Sequence, residues 1–249
     1  MKKQTTSAFA ALAAVATLIT SCTSPTAGVD ANASAVLRSM SDKLAAARTL
    51  RVTATRESSP GLYVGFNVAE KARISAAVAR PNKIAATADT NIGRRSVFFD
   101  GTNVTLVDHK AGTHAQVKGA GDIDGTVRSL EKTYGVMPPL AELITNKPGA
   151  FLLDGVTGGS CKGTGKVGGA ECHHLAFQQA NLSWDLWVGV ADSLPKKMVI
   201  TYPNGEGGAP LKTTLLIEKM ELNAPVSAAD VAVSIPQNSE NIAMIPLSH

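Results

Sequence analysis

Short segments in which apolar and polar residues alternate recur along most of the chain, and they limit the fold more than any other feature. In residues 50–56, Leu50, Val52 and Ala54 alternate with polar residues. This period of two predicts a β-strand with one buried face and one face in water. Comparable strand signals occupy residues 62–68, 74–78, 83–88, 96–100, 104–108, 114–118, 161–167, 172–178, 183–190, 198–202, 211–220 and 231–235.

Only three segments carry helix signals. Asp30 can cap a helix that runs to about Ala47, and Asp122 precedes a second helix that Gly135 can end. Pro138 and Pro139 precede a third, short helix. Because strands and helices do not alternate, a parallel doubly wound sheet is unfavourable. The order predicts an α+β fold, in which one large curved antiparallel sheet packs helices on its concave face.

The amino terminus carries an export signal. A short positive start is followed by an apolar stretch at residues 8–19, too short to span a bilayer but typical of a signal peptide. Ile19, Ser21 and Cys22 then resemble the lipobox of bacterial lipoproteins. We expect residues 1–21 to be removed, Cys22 to be lipidated, residues 22–30 to form a tether and residues 31–249 to form one domain. The alternative is an ordinary signal peptide with a chance cysteine. Thr23 is not the usual inner-membrane retention residue, which favours the outer membrane.

The chain has three cysteines, an odd number for an exported protein. Lipidation of Cys22 would leave Cys161 and Cys172 as a pair in a compartment where disulfides form. The residues between them are typical of a glycine-rich hairpin, so we expect a disulfide. The alternative is a metal site that adds His173 and His174, but adjacent strand residues point to opposite faces, so we expect no metal.

Charge and motifs exclude several function classes. The formal net charge is +4, and removal of the two lysines of the signal peptide leaves 22 − 20 = +2, too weak to indicate nucleic-acid binding. The chain has no G-x-S-x-G, HExxH or P-loop pattern. Asp122 and Asp124 lack the other ligands of a calcium loop, and helix capping explains them better. We therefore expect no catalytic residue, no cofactor and no enzymatic activity.

Apolar residues on the strands are the candidate binding residues. Leu182, Trp184 and Leu186 share one face of the strand at residues 183–190. If that face is concave, they either fill a core or line an apolar pocket, and Phe66, Phe98 and Phe177 invite the same two interpretations.

Four stretches together resemble a known family: residues 94–117, 129–144, 170–188 and 194–202. The most specific part is the run CHHLAF from Cys172, followed by WDLWV from Trp184. These stretches are similar to the predicted periplasmic proteins of domain of unknown function 2092. The resemblance implies a fold like that of the periplasmic lipoprotein carrier LolA, the outer-membrane receptor LolB and the lipoprotein LppX. That fold is an incomplete β-barrel closed by helices around an apolar cavity that holds acyl chains.

Three functional hypotheses follow. The first is a membrane-anchored periplasmic lipoprotein that binds a lipid or another apolar ligand in a half-barrel cavity. The second is a structural or adaptor lipoprotein that presents a sheet edge or loops to a protein partner. The third, less favoured, is a hydrolase or metalloprotein that uses His173 and His174.

Overall fold

The computed structural model describes residues 28–62, 68–203 and 208–247. The helices are α1 (Ala31–Ala46), α2 (Ile123–Tyr134), α3 (Ala141–Ile144) and α4 (Pro148–Leu152), and a short 3₁₀ helix covers Ala229–Val231. The strands are β1 (Thr49–Ser58), β2 (Glu70–Ala79), β3 (Lys83–Thr90), β4 (Gly93–Phe99), β5 (Asn103–Asp108), β6 (Thr113–Lys118), β7 (Val156–Val167), β8 (Ala170–Gln179), β9 (Ser183–Gly189), β10 (Pro195–Tyr202), β11 (Leu211–Leu222) and β12 (Glu240–Asn241).

These strands form one open sheet in the order β12-β6-β5-β4-β3-β2-β1-β11-β10-β9-β8-β7. Neighbouring strands are antiparallel except β12, which pairs parallel with β6. The predicted α+β class with a large, mainly antiparallel sheet is confirmed. Within the described ranges, no helix is both long and apolar enough to cross a membrane.

The helices pack on one side of the sheet, which we call the core face. On β1, Leu50, Val52 and Ala54 are at most 2% exposed, and they share one apolar cluster with Leu37 and Met40 of α1. Leu130 of α2, Leu143 of α3 and Leu152 of α4 belong to the same cluster. Burial of each such large side chain contributes about 2 kcal/mol. The opposite side of the sheet is called the outer face.

The helix boundaries follow the predicted caps. The Asp30 carboxylate accepts a hydrogen bond from the Ala33 amide at 2.6 Å, and the Asp122 carboxylate accepts one from the Gly125 amide at 2.8 Å. Gly135 ends α2 in the left-handed conformation, with φ at 65°. The predictions for the first two helices are confirmed, but α4 was not predicted, because its five residues show too little periodicity.

Arg80 fixes α3 relative to α1. Its guanidinium donates hydrogen bonds to the carbonyls of Leu44 and Ala47, both at 2.8 Å, and to those of Ile144 and Thr145 at 3.3 and 2.6 Å. Burial lowers the pKa of Arg80. One side chain thus satisfies the carboxyl-terminal carbonyls of two helices, and this holds α3 over the core face.

The carboxyl-terminal segment crosses the outer face and then reaches the core face. The strand predicted at residues 231–235 was wrong: a 3₁₀ helix ends at Val231, and the next pairing is the two-residue β12. The Ile242 amide donates to the His114 carbonyl, and the Leu247 amide donates to the Thr133 carbonyl, each at 2.8 Å. This segment therefore rounds the β6 edge and meets the end of α2.

Candidate functional site

Three adjoining cavities lie between the core face and the segment at residues 135–140, and together we call them the groove. Their volumes are about 680, 460 and 350 Å³. Met137 lines all three. Volumes of a few hundred Å³ are in the range of sites for small ligands.

The groove is mainly apolar. Ile74, Leu140, Met198, Ile200 and Leu215 line the largest cavity. The 460 Å³ cavity is lined by Val97, Leu106, Ala115 and, from the carboxyl-terminal segment, Ile242 and Met244. The 350 Å³ cavity is lined by Phe151, Leu152, Leu182 and Trp184. The groove is therefore bounded by strands from both halves of the sheet.

The segment at residues 135–140 leaves room for the groove because it belongs to no helix or strand. Gly135 takes a left-handed conformation, and Leu140 does so too, with φ at 63°. Pro138 and Pro139 have no amide hydrogen to donate to a ladder. The segment passes over the core face without pairing to it.

Charged side chains also line the groove, among them Arg56, Glu70 and Glu142. The Arg56 guanidinium contacts both carboxylate oxygens of Glu70, at 3.1 and 2.9 Å, and Glu70 is only 4% exposed. Glu142 of α3 lines two of the cavities. Burial raises the pKa of Glu142, and the nearby charge of Arg56 opposes this change. Such polar groups can orient a ligand in an apolar site.

Five of the six predicted lining residues fall into three groups. Leu182 and Trp184 line the 350 Å³ cavity. Phe177 and Leu186 are fully buried, and Phe177 stacks on Trp184 with ring centroids 4.1 Å apart, so both belong to the core. Phe66 lies outside the described residues.

Phe98, the remaining candidate lining residue, does not lie on the core face. Phe99 pairs with Ile84, whose side chain belongs to the core cluster. Successive strand residues point to opposite faces, so Phe98 lies on the outer face, where it lines a different cavity.

The predicted disulfide between Cys161 and Cys172 is not formed, and both thiols are free. Cys161 pairs with Leu175 and packs against the core cluster, whereas Cys172 pairs with Gly165. Because Cys172 lies three residues from Leu175 on β8, its side chain points to the other face. The glycine-rich hairpin pattern predicts the two strands, but it does not predict the register that places the two cysteines on opposite faces of the sheet.

His173 and His174 also point to opposite faces. His173 lies on the same face as the core residue Leu175. The His174 ring contacts Asp185 at 2.7 Å and stacks on Trp187 with centroids 4.3 Å apart. Within the described residues, no group of three or more His, Cys, Asp or Glu residues could hold a metal ion.

The sequence does not single out Met137, Glu142 or Tyr202 as lining residues. The available signal was the Pro138–Pro139 pair, which marks a segment that can neither pair with the sheet nor continue a helix. Its position over the core face depends on contacts distant in sequence, such as those of Arg80.

Comparison with known proteins gives a family match. Residues 33–245 match the profile of a family described as "Predicted periplasmic protein (DUF2092)". No curated protein matches the chain significantly.

Several solved structures are similar at low identity. An uncharacterised conserved protein from Thermus thermophilus aligns with a TM-score of 0.49 and 9% identity, over 83% of this chain and 96% of that one. LprF from Mycobacterium bovis gives 0.46 and 11%, over 84% and 98%. The lipoprotein LppX from Mycobacterium tuberculosis gives 0.42 and 14%, over 78% and 97%.

Proposed function

The chain belongs to the DUF2092 family of predicted periplasmic proteins, and from this premise we propose that it is a periplasm-facing lipoprotein that binds an acyl chain or a similar apolar ligand in the groove. Binding is the proposed role, without a chemical reaction. No cofactor is required for it.

The groove is the observation that carries this proposal. An apolar ligand gains about 0.8 kcal/mol for each CH₂ group that leaves water. The three cavities adjoin, because Met198 and Ile200 line two of them and Met137 lines all three. One ligand can therefore contact apolar side chains from both halves of the sheet. The largest cavity also contains Arg56 and Glu142, which can hold the polar end of such a ligand.

Two substitutions on neighbouring residues of β10 test the proposal. Ile200 faces the groove, and Val199 points to the outer face; both are half-buried. We expect Ile200→Trp to fill the groove and to reduce the amount of co-purified lipid at least several-fold, measured by native mass spectrometry and by lipid extraction. Val199→Trp adds a side chain of the same size on the other face and should leave the lipid content unchanged.

Absence of bound lipid from the unsubstituted protein, in native spectra and after incubation with fatty acid, would contradict the proposal. An equal loss of lipid in both variants would also contradict it, because the effect would then not depend on the groove. Circular dichroism of each variant checks that the fold is retained.

The adaptor hypothesis has one observation in its favour. β7 is an edge strand of 12 residues, and such edges present unpaired backbone groups that can accept a strand from another chain. Val29 bridges to this edge at Gly159. Pull-down of the anchored protein would support an adaptor role if a single stoichiometric partner is captured and Thr164→Pro, which blocks pairing along the edge, abolishes its capture.

Membrane attachment through Cys22 is part of the proposal, and Cys22 lies outside the described residues. The support is the sequence pattern at residues 1–22. The absence of the usual retention residue at Thr23 favours the outer membrane.

A further inference from the structure

A fourth cavity, of about 520 Å³, lies on the outer face of the sheet, whereas the groove lies on the core face. We propose that it binds a phosphate ester of a small polyol, with Arg94 as the anion ligand and a row of hydroxyl groups as partners for the hydroxyls of the ligand. This cavity does not take part in the proposed binding of apolar chains.

The hydroxyl row crosses four adjacent strands. Cross-strand pairing places Thr53 beside Ser75, Ser75 beside Thr87, and Thr87 beside Ser96. All four residues line the cavity. Adjacent strands are about 4.8 Å apart, so the row offers hydroxyl groups at regular intervals along its floor.

The buried end of this row is already ordered by hydrogen bonds. The hydroxyls of Thr87 and Ser96 are 3.0 Å apart, and the Ser96 hydroxyl is 2.9 Å from His109 Nε2. Ser96 is only 2% exposed. Within the part of the chain that the structure describes, Thr53 and Ser75 have no such side-chain partner. A ligand can therefore bind the exposed end of the row while the buried end stays fixed.

Small side chains beside the row make the hollow. Ala77 pairs with Ala85, and Ala85 pairs with Phe98, and all three line the cavity. Larger residues at the two alanines would fill this space. The methyl groups and the Phe98 ring give an apolar surface beside the hydroxyls, as the carbon skeleton of a polyol requires.

The 3₁₀ helix at Ala229–Val231 forms the wall opposite the floor. Asp230 contacts the Arg51 guanidinium at 2.7 Å, and Arg51 also donates to the Pro225 carbonyl at 3.0 Å. Hydrogen bonding to Arg51 lowers the pKa of Asp230 to about 2. This ion pair is therefore intact at neutral pH and holds the wall in place.

Arg94 supplies the charge for an anion. Arg51 and Lys219, the other cationic residues of the lining, are paired with Asp230 and Glu221. Among the described residues, Arg94 has no ion-pair partner within 4.0 Å. A guanidinium binds phosphate oxygens with two parallel hydrogen bonds. The unpaired charge beside the hydroxyl row therefore favours an anion that also carries hydroxyl groups.

Isothermal titration of the purified full-length chain with glycerol 3-phosphate tests this inference. Arg94→Ala should weaken binding by about tenfold or more, because a hydrogen bond to a charged group is lost, and Ser75→Ala should weaken it less. Arg73 is the matched control. In the strand register, Arg73 and Arg94 lie on either side of Asp89 and on the same face of the sheet, but Arg73 does not line the cavity. Arg73→Ala should leave the affinity unchanged.

A second experiment distinguishes a free polyol phosphate from a lipid headgroup as the ligand. With the protein in phosphatidylcholine vesicles, added phosphatidylglycerol weakens the apparent affinity for glycerol 3-phosphate if the headgroup occupies the cavity, and has no effect if only the free compound fits. Either result supports the binding of a phosphate ester of a small polyol in this cavity. Lack of binding, an equal loss in Arg73→Ala, or equal affinity for inorganic phosphate would overturn the inference.

Discussion

Glu142 is a carboxyl group on the wall of an apolar groove, and its protonation should couple stability to pH. Burial raises its pKa above the ordinary value of 4.5. Between the ordinary and the raised value, the folded chain holds a proton that the unfolded chain has released, so the free energy of unfolding falls as pH rises through this window. We expect Glu142→Gln to remove this loss.

Denaturant unfolding at about pH 4 and about pH 7.5 measures this effect. Relative to the unsubstituted protein, Glu142→Gln should gain stability at the higher pH and gain little at the lower pH. Glu218 is exposed on β11, and Glu218→Gln controls for the loss of one negative charge. A gain of the same size at both pH values, or in both variants, would show that Glu142 is not the group responsible.

Residue positions were predictable only where the alternation was unambiguous. In β1, the apolar residues alternate with polar ones, and the predicted buried face is the observed one. In β4, Phe98 and Phe99 are adjacent, and alternation alone cannot tell which one meets the core. Cys161 and Cys172 present the same difficulty, because irregular pairing between β7 and β8 changes the register in the glycine-rich stretch between them.

At the scale of elements, the end of α2 determines where the groove begins. Gly135 has a φ of 65°, and a β-carbon there would approach Leu247 to 3.4 Å. An L-residue in the left-handed region costs about 1 kcal/mol. We therefore expect Gly135→Ala to lower the free energy of unfolding by about 1 kcal/mol and to reduce lipid retention, because the 135–140 segment would shift.

Gly165 provides the comparison for this substitution. A β-carbon at Gly165 meets open space, and its φ lies outside the left-handed region. Gly165→Ala should therefore leave stability unchanged or raise it slightly, because the unfolded chain loses freedom. Chemical denaturation of both variants decides: a Gly135→Ala protein as stable as Gly165→Ala would contradict the role assigned to this turn.

Strands and capped helices were the elements that sequence patterns predicted well, because both depend on local residue order. Residues 231–235 have the alternation of a strand but no partner strand, so they do not form one. The small α4 and the 135–140 segment depend on tertiary contacts. The groove lies beside such elements, and this explains why most of its lining was not predicted.

At the scale of the whole molecule, a pairing between distant parts of the chain joins the two halves of the open sheet. β1 lies between β2 and β11, and Leu50 pairs with Leu222. Hydrophobic patterns predict that both segments are strands, but they do not specify which strands are neighbours. The predicted antiparallel sheet was therefore confirmed as a class, whereas the strand order, and with it the two sides of the groove, required the structure.

Attachment to a membrane would place this sheet in a defined orientation. At the start of the described chain, the Asp30 amide donates to the Gly159 carbonyl at 2.9 Å, and the Cys161 amide donates to the Asp30 carboxylate at 2.9 Å. The first described residues are thus fixed to the β7 edge. Gly28 follows Cys22 by six residues, and an extended chain of that length spans at most about 20 Å. A lipid on Cys22 would therefore keep the β7 edge close to the bilayer.

Fractionation of cells that express Cys22→Ser tests this arrangement. We expect the unsubstituted protein in the membrane fraction, released by detergent and not by high salt, because buried acyl chains rather than charges retain it. Cys22→Ser should lose this attachment, whereas Cys161→Ser, which also removes one thiol, should keep it. A Cys22→Ser protein that stays in the membrane fraction after signal removal would mean that another part of the molecule binds the bilayer. Mass spectrometry of the mature amino terminus of the unsubstituted protein would show whether Cys22 carries lipid.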